Sequence, residues 1–393
     1  MRPALFLTRP FLLLSLQFLA VASTVAVFFP LQGYLAAMGV PASAIGFILG
    51  ADALSALVAQ LLITPFVTAR TARRWLLSGA LMLTIALLLE GTITDAAYFV
   101  AARLLQGVGF VCVMAALTHL LVLCIPAEMS GRAFSWISLV RLVPFAVIPP
   151  LFGLMRDVPA HLGAIIRWSS LLSIFAGLLI WLLPLFPQEK EGPQPSGNAF
   201  SGVGRSLADR NVAAGLSSAL LLYAGYSTVF FFLRGFALKS GLGSPGLFFT
   251  IATLAMMAVR LLLSGGAVFD RFDKRRMNVL SLALSGLAVF LLPFSFSKAA
   301  FLALAVPCGL GWGAAMPLMH ALIFDVSQSD LRGLNQNLTL LMMQAGYFAG
   351  PALAGSLLAA SGYGMVFAGA CGMLLLASAL LLMVRKKNIC VTR

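Results

Sequence analysis

Charged residues are scarce in this sequence: only 10% of its 393 residues are Asp, Glu, Lys or Arg, and 61% are hydrophobic. Soluble domains carry about 25% charged residues, so the chain lacks the charge that a water-facing surface needs. The composition excludes a soluble globular enzyme, a disordered chain and a coiled coil. The apolar runs are long and continuous, which argues against the short alternating strands of a membrane β-barrel.

Sequence motifs for catalysis, metal binding and nucleotide binding are also missing. With three His, five Cys and no CxxC pair, we expect no disulfide framework, no metal and no cofactor. Neither the phosphate-binding G-x-x-x-x-G-K-[ST] loop nor HExxH or GxSxG occurs, so we do not expect an enzyme. The net charge of +14 would suggest nucleic acid in a soluble protein. In a membrane protein it reports topology first, so we expect no nucleic-acid partner.

Twelve segments are apolar and long enough, at roughly 20 residues each, to cross a bilayer as helices. We therefore predict an all-α polytopic membrane protein in the lipid bilayer. The first apolar run continues to about residue 37, past the end of a signal peptide, so we expect it to remain as a span. The predicted limits are 11–36, 44–67, 75–94, 97–125, 133–155, 163–186, 212–238, 246–269, 277–297, 299–325, 335–358 and 363–384.

The basic residues are distributed unequally between the two sides of these spans. Most of the 26 Lys and Arg residues fall on the side of the N-terminus, and three of them, Arg103, Arg141 and Arg260, remain within spans. Because Lys and Arg collect on cytoplasmic loops, we expect both termini in the cytoplasm and the protein in the cytoplasmic (inner) membrane.

The two halves of the chain repeat one another. A polar stretch at 187–211, rich in Pro, Gly, Ser and charge, reads as a cytoplasmic linker between six-helix bundles at 1–186 and 212–393. Six spans return the chain to the same side, so the halves are predicted to be parallel, pseudo-symmetric repeats. The matching positions, offset by 201 or 202 residues, are Arg70-x-x-Arg73-Arg74 with Arg271-x-x-Lys274-Arg275, Gly107-x-Gly109 with Gly309-x-Gly311, and Gly153 with Gly355.

These motifs, over the full length of the chain, resemble those of the major facilitator superfamily. Gly266-x-x-x-Asp270-Arg271-x-x-Lys274-Arg275 is similar to the family's G-x-x-x-D-R-x-G-R-R, with Asp273 where Gly is usual. Arg103-x-x-Gln106-Gly107-x-Gly109 is similar to the helix 4 motif R-x-x-Q-G-x-G, and Gly346-x-x-x-Gly350-Pro351 resembles the G-x-x-x-G-P motif of antiporters. The resemblance implies secondary transport by alternating access, in the branch that exports drugs or metabolites.

Residues for gating are predicted from the same motifs. Asp270 can accept hydrogen bonds from a neighbouring helix N-terminus and Arg271 can pair with an acid, which would stabilise one conformation of a rocking protein. Arg70 occupies the corresponding place in the first half, and Gly350 and Pro351 are the matching candidates in helix 11. The alternative is that the loop charges only set topology.

Two intramembrane arginines are the strongest candidates for binding a substrate. Arg141 in helix 5 and Arg260 in helix 8 lie at similar depths, about eight and nine residues or ~12 Å from the inner face. The resemblance implies that helices 5 and 8 are neighbours, so both arginines would meet between the bundles. A pair of guanidinium groups without an acid suits a carboxylate, phosphate or sulfonate. Alternatively, each arginine caps carbonyls or extends toward the inner face.

A second group of candidates would couple transport to protons. Asp52 is expected to be the only carboxylate deep within a span. Its depth is similar to that of Arg103, so the two are expected to pair. A carboxylate that exchanges an arginine for a proton is a minimal coupling device. His320 titrates near neutral pH and is a further candidate. The alternatives are a static ion pair and a structural histidine.

The remaining candidates line the central path that the resemblance assigns to helices 1, 4, 7 and 10. They are Arg103, Gln17, Tyr223, Tyr226 and Trp312, and each could instead serve packing. The predicted function is proton-coupled efflux of a small amphiphilic or anionic molecule by a monomer. Proton symport or facilitated uptake of an anionic metabolite, a lipid flippase and a non-transporting sensor remain open.

Overall fold

Long helices account for nearly all of the structure, a computed structural model that describes residues 8–68, 70–93, 95–125, 130–155, 157–184, 199–264 and 273–384. Within these residues twelve helices are long enough to cross a bilayer, and a turn at residues 27–30 interrupts the first. They are α1 Arg9–Ala37, α2 Ala42–Ile63, α3 Ala72–Glu90, α4 Ala96–Cys124, α5 Arg132–Leu154, α6 Val158–Leu182, α7 Arg210–Lys239, α8 Pro245–Leu263, α9 Lys274–Phe294, α10 Lys298–Val326, α11 Arg332–Ser361 and α12 Tyr363–Leu382.

The predicted all-α polytopic fold is confirmed. Among the described residues, eleven of these helices are also apolar enough to span a membrane. The exception is α11, which is 30 residues long but carries Asn335, Gln336 and Gln344 in its first half. The predicted break between helices 9 and 10 coincides with Ser297, whose side chain accepts a hydrogen bond from the amide of Ala300 at the start of α10.

The helices form two bundles of six, α1–α6 and α7–α12, with the same internal arrangement. In the first bundle α3 packs against α4 and α6, and in the second α9 packs against α10 and α12. The bundles meet along two pairs, α2 with α11 and α5 with α8. The neighbourhood of helices 5 and 8 that the family resemblance implies is therefore present.

Repeated glycines explain why both bundles pack alike. A Cβ atom on Gly107 would overlap the backbone of α2, and one on Gly309 would overlap the backbone of α8. Two residues later, Gly109 lies against α3 and Gly311 against α9. Small residues let helix backbones approach closely in a membrane, where packing rather than the hydrophobic effect drives association. The sequence repeat is thus a repeat of helix contacts.

The basic loop motifs cap helix ends. Arg73, at the start of α3, donates to the carbonyls of Ile180 and Leu183 at the end of α6, at 2.8 and 3.4 Å. Arg275, at the start of α9, donates to the Val384 carbonyl beyond α12 at 2.6 Å. A cation is favoured at a helix C-terminus, where carbonyls lack partners. These two arginines are 202 residues apart, so they are equivalent in structure although the motif alignment paired Arg73 with Lys274.

The side of the membrane at which α1 begins and α12 ends is called the terminal side here, and the other the far side.

The linker predicted at 187–211 contains a short helix, Ala199–Ala208, and α7 already begins at Arg210. Arg205 of this helix pairs with Asp330 at 2.9 Å, which fixes the helix to the second bundle. Residues 185–198 lie outside the described residues.

The predicted gating residues are only partly described. Asp270 and Arg271 lie outside the described residues, and Arg70 is exposed in the turn before α3. Gly350 and Pro351 are in contacts of α11: a Cβ on Gly350 would overlap α7, and one on Gly46 of α2 would overlap the Pro351 carbonyl. Both therefore hold α11 against its neighbours, and their role in gating stays a prediction.

We expect Gly309→Ala to destabilise the protein by about 1–3 kcal/mol, because the added methyl group meets backbone of α8 that cannot rotate away. The matched control is Gly372→Ala in α12, where no atom lies within 4 Å of the new Cβ. Thermal unfolding of both purified variants in detergent is the measurement. Equal unfolding temperatures would contradict the close contact at Gly309.

Candidate functional site

Arg141 and Arg260 lie together between the bundles, Arg141 near the middle of α5 and Arg260 in the last turn of α8. Arg141 is on α5 and Arg260 is on α8, and the two guanidinium groups are close enough to interact electrostatically. Three tyrosines of the second bundle surround them: Tyr223 and Tyr226 on α7, and Tyr347 on α11. We call these five residues the central cluster.

Arg260 is held from both bundles. Its Nη1 donates to the Ser138 hydroxyl on α5 at 2.6 Å, and its Nη2 lies 3.4 Å from the Met316 sulfur on α10. Its Nε is enclosed and has no hydrogen-bond partner among the described residues. A thioether is a weak acceptor and an unpaired N–H is costly, so this guanidinium retains unused capacity for a hydrogen-bond acceptor.

Arg141 has an exposed side chain although it lies within a spanning helix. Its electrostatic neighbours, Tyr223 and Tyr347, belong to the opposite bundle, so the side chain points into the gap between bundles and not toward lipid. Among the described residues, no carboxylate forms an ion pair with Arg141 or Arg260. The gap therefore carries two positive charges that this part of the chain does not neutralise.

Aromatic rings form the wall of the central cluster. Tyr226 meets the Trp312 ring edge-on at 5.2 Å between centroids, and Tyr223 meets Tyr347 in the same way at 5.4 Å. Trp312 is fully buried and its indole N–H has no partner among the described residues. Such rings provide apolar area with polar edges, which suits an aromatic or amphiphilic ligand.

A layer of phenylalanines lies on the far side of the cluster. Phe29 of α1 contacts Phe230 of α7 at 5.8 Å and Phe249 of α8 at 5.1 Å, and Phe145 of α5 contacts Phe230 at 5.7 Å. We call these four residues the aromatic plug. It joins the two bundles on the far side of the central cluster.

Arg103 is the centre of a separate polar group in the first bundle. Its side chain is only 1% exposed and packs against the Phe28 ring at 4.7 Å. It donates to the Gln106 side chain, to the carbonyls of Ile48 and Leu49, and to Asp52 at 2.6 Å. All three guanidinium nitrogens are engaged, so Arg103 does not face open space in this conformation.

The contact between Asp52 and Arg103 is observed, and the Asp52 side chain is 32% exposed. Asp52 is expected to be the only carboxylate deep within a span, and the structure adds a second buried acid at the end of a helix. Glu90, the last residue of α3, is 0% exposed and lies within electrostatic range of both residues. Depth counted along one helix missed it, because neighbouring helices cover the end of α3.

Two further candidates lie away from the central cluster. Gln17 is fully buried and donates to the Ala176 carbonyl of α6 at 2.6 Å, so it joins helices within the first bundle. His320 lies one turn beyond Met316 on α10, and its Nδ1 is 3.1 Å from the Gln336 amide oxygen of α11. The described residues contain no group of three His, Cys, Asp or Glu side chains that could hold a metal ion.

Ser138, Tyr347 and Glu90 are the site residues that sequence reasoning missed. Ser138 precedes Arg141 by three residues and therefore shares its helix face, which was an available signal. Glu90 falls within a predicted span, near the depth of Arg103. Tyr347 lies on α11, a helix that the family resemblance does not place along the central path.

The chain was compared with known families and structures. The profile of the Major Facilitator Superfamily matches residues 11–265 and 215–389. A search of curated protein sequences gave no significant match. Solved structures of the nucleoside transporter NupG are similar, one with a TM-score of 0.76, 15% identity and coverage of 97% of this chain and 100% of that chain.

A variant of NupG gives a TM-score of 0.79 at 14% identity, covering 96% of this chain and 100% of that one. The human organic anion transporter MFSD10 gives 0.60 at 19% identity, covering 95% and 99%. At these low identities, the structural similarity shows a shared fold and no more. The family profile, which spans nearly the whole chain, shows that the protein belongs to the Major Facilitator Superfamily of small-molecule membrane transporters, which are not enzymes.

Proposed function

We propose that this protein exports a small organic anion from the cytoplasm in exchange for protons. The anion binds Arg141 and Arg260, and its hydrocarbon or aromatic part lies against Tyr223, Tyr226 and Trp312. The observation that carries this proposal is the absence, among the described residues, of any carboxylate paired with these two arginines. A bound carboxylate, phosphate or sulfonate would supply the missing charge and accept the unused N–H groups.

Two observations support the direction proposed here, the contacts on the far side and the distribution of charge. The aromatic plug joins the bundles on the far side, while the exposure of Arg141 supports a gap open toward the terminal side. The excess of Lys and Arg on the terminal loops supports a cytoplasmic location for that side, with the protein in the inner membrane. A monomer can then load its anion from the cytoplasm.

A lipid flippase is less well supported. A headgroup needs a polar opening between helices, whereas the surface groove between α2 and α4 is lined almost entirely by apolar residues such as Leu54, Val58 and Leu104. The human structural relative named above is described as an organic anion transporter, which agrees with the anion proposed here.

We expect phenyl phosphate, benzoate or benzenesulfonate to raise the unfolding temperature of the purified protein, and benzamide, their uncharged counterpart, to leave it unchanged. Arg141→Ala and Arg260→Ala should each weaken this binding at least about tenfold, equivalent to ~1.4 kcal/mol, because one charge-assisted contact is lost. The affinity of Arg260→Lys should lie between that of the unmodified protein and that of Arg260→Ala, because lysine keeps the charge and loses the planar donor geometry.

Lys239→Ala is the control, because Lys239 is an exposed basic residue at the end of α7, outside the central cluster. Stabilisation by benzamide equal to that by benzoate would remove the anion requirement. Unchanged anion binding in both alanine variants would show that the two arginines do not belong to the site.

We expect Asp52→Asn to uncouple transport from protons. Radiolabelled benzenesulfonate is a suitable probe in proteoliposomes, because it stays ionised and does not cross lipid as a neutral acid. Accumulation driven by a pH gradient should fall to the level without a gradient, while exchange of labelled for unlabelled probe continues. Asp157→Asn, which alters an exposed helix-capping carboxylate, should transport like the unmodified protein.

Asp52→Asn removes the carboxylate that Arg103 contacts in this conformation, and losing one partner of a buried ion pair costs up to about 3–5 kcal/mol. The double variant Asp52→Asn, Arg103→Gln removes both charges and serves as a folded alternative. Gradient-driven accumulation that persists in both variants would exclude Asp52 from coupling.

A further inference from the structure

Glu90 is a buried acid that the mechanism above does not use. Its side chain is fully enclosed, and neither carboxyl oxygen has a hydrogen-bond partner among the described residues. Acidic side chains are almost never buried without a partner, because an ionised carboxylate loses several kcal/mol of solvation. Its position is therefore unusual and calls for an explanation.

The charged groups that face Glu90 are Arg103 on α4 and Asp52 on α2. Arg103 gives its N–H groups to Asp52, Gln106 and two carbonyls, so Glu90 receives none of them. On α6, the stem of Arg167 lies against Gly91, the next residue, but its side chain is exposed. Asp95, which caps α4, is also exposed.

The charges of this group balance only if Glu90 is neutral. Arg103 carries one positive charge and the Asp52 carboxylate, 2.6 Å away, already neutralises it. A second ionised carboxylate would add an uncompensated negative charge in an enclosed position. The arrangement of one arginine and two acids therefore holds one proton.

We propose that Glu90 binds the transported proton, and that Arg103 alternates between Asp52 and Glu90 as its ionised partner. This inference rests on the proposed proton-coupled function and extends it. In this conformation Glu90 carries the proton and Asp52 is paired with Arg103.

When Arg103 moves to Glu90, the O–H bond of Glu90 breaks and Asp52 accepts a proton, so the total of one proton and one ion pair is unchanged. Asp52 is the partly exposed member of the pair, so it can then release its proton to solvent. Glu90 is reprotonated from the far side, near which α3 ends.

The proposal predicts a reciprocal effect that a structural role for Glu90 would not produce. In infrared spectra of the purified full-length protein near neutral pH, the carbonyl band of a protonated carboxylic acid should be present and should vanish in Glu90→Gln. It should also vanish in Asp52→Asn, which keeps Glu90, because Glu90 then ionises to pair with Arg103. Asp157→Asn, an exposed carboxylate changed in the same way, should retain the band.

Transport supplies the second readout. In proteoliposomes with radiolabelled benzenesulfonate, Glu90→Gln should lower gradient-driven accumulation at least tenfold and leave probe exchange within twofold of the unmodified protein. A band that survives in Glu90→Gln, or that persists in Asp52→Asn, would overturn the proposal, as would undiminished gradient-driven accumulation in Glu90→Gln.

The spectra require no substrate, so they separate this inference from the anion site. Loss of the band in Glu90→Gln and Asp52→Asn supports proton binding at Glu90 even if Arg141→Ala leaves anion binding unchanged. In that case the proposed substrate fails and the proton site stands.

Discussion

Two guanidinium groups near the middle of a membrane protein constrain the rest of this structure. Placing an arginine at the bilayer centre costs about 2.5–3.5 kcal/mol on insertion scales, and neither Arg141 nor Arg260 has an acid partner among the described residues. The cost is reduced by the hydrogen bond from Arg260 to Ser138 and by the exposure of the Arg141 side chain. The packing between the bundles therefore has to leave a polar gap around these two side chains.

The charges around Arg103, inside the first bundle, are arranged differently. Arg103 is enclosed, fully hydrogen-bonded and paired with Asp52, so nothing in this group requires an added anion. The unusual member of this group is Glu90, because it is a second acid beside an arginine that is already paired. The gap between the bundles thus has uncompensated positive charge that an anion can neutralise, and the interior of the first bundle has a surplus acid that a proton can neutralise. A protein with both features has separate places for the two species that a coupled transporter exchanges.

Sequence reasoning predicted the depth of residues better than their direction around each helix. Counting residues from the helix ends placed Arg141 level with Arg260, and the structure brings the two together. The same count placed Gln17 on a lining helix, but rotation of α1 turns it toward α6. It also missed the burial of Glu90, which depends on neighbouring helices and not on the sequence of α3. The depth of a residue in the membrane can be counted along its own helix. The direction in which its side chain points around that helix, and its burial by neighbouring helices, depend on how the bundle assembles.

The kinds of contact within and between the bundles differ in a way that suits a rocking motion. The ion pair of Arg103 with Asp52 lies within the first bundle, that of Lys274 with Asp325 lies within the second, and that of Arg205 with Asp330 joins the linker helix to the second bundle. Contacts between bundles are rings of the aromatic plug, glycine positions such as Gly46 against α11, and single hydrogen bonds such as Arg260 to Ser138. Dispersion contacts are individually weak and non-directional, and one hydrogen bond contributes about 1 kcal/mol net. The contacts named here between the bundles are therefore individually weak, which suits an interface that opens and closes.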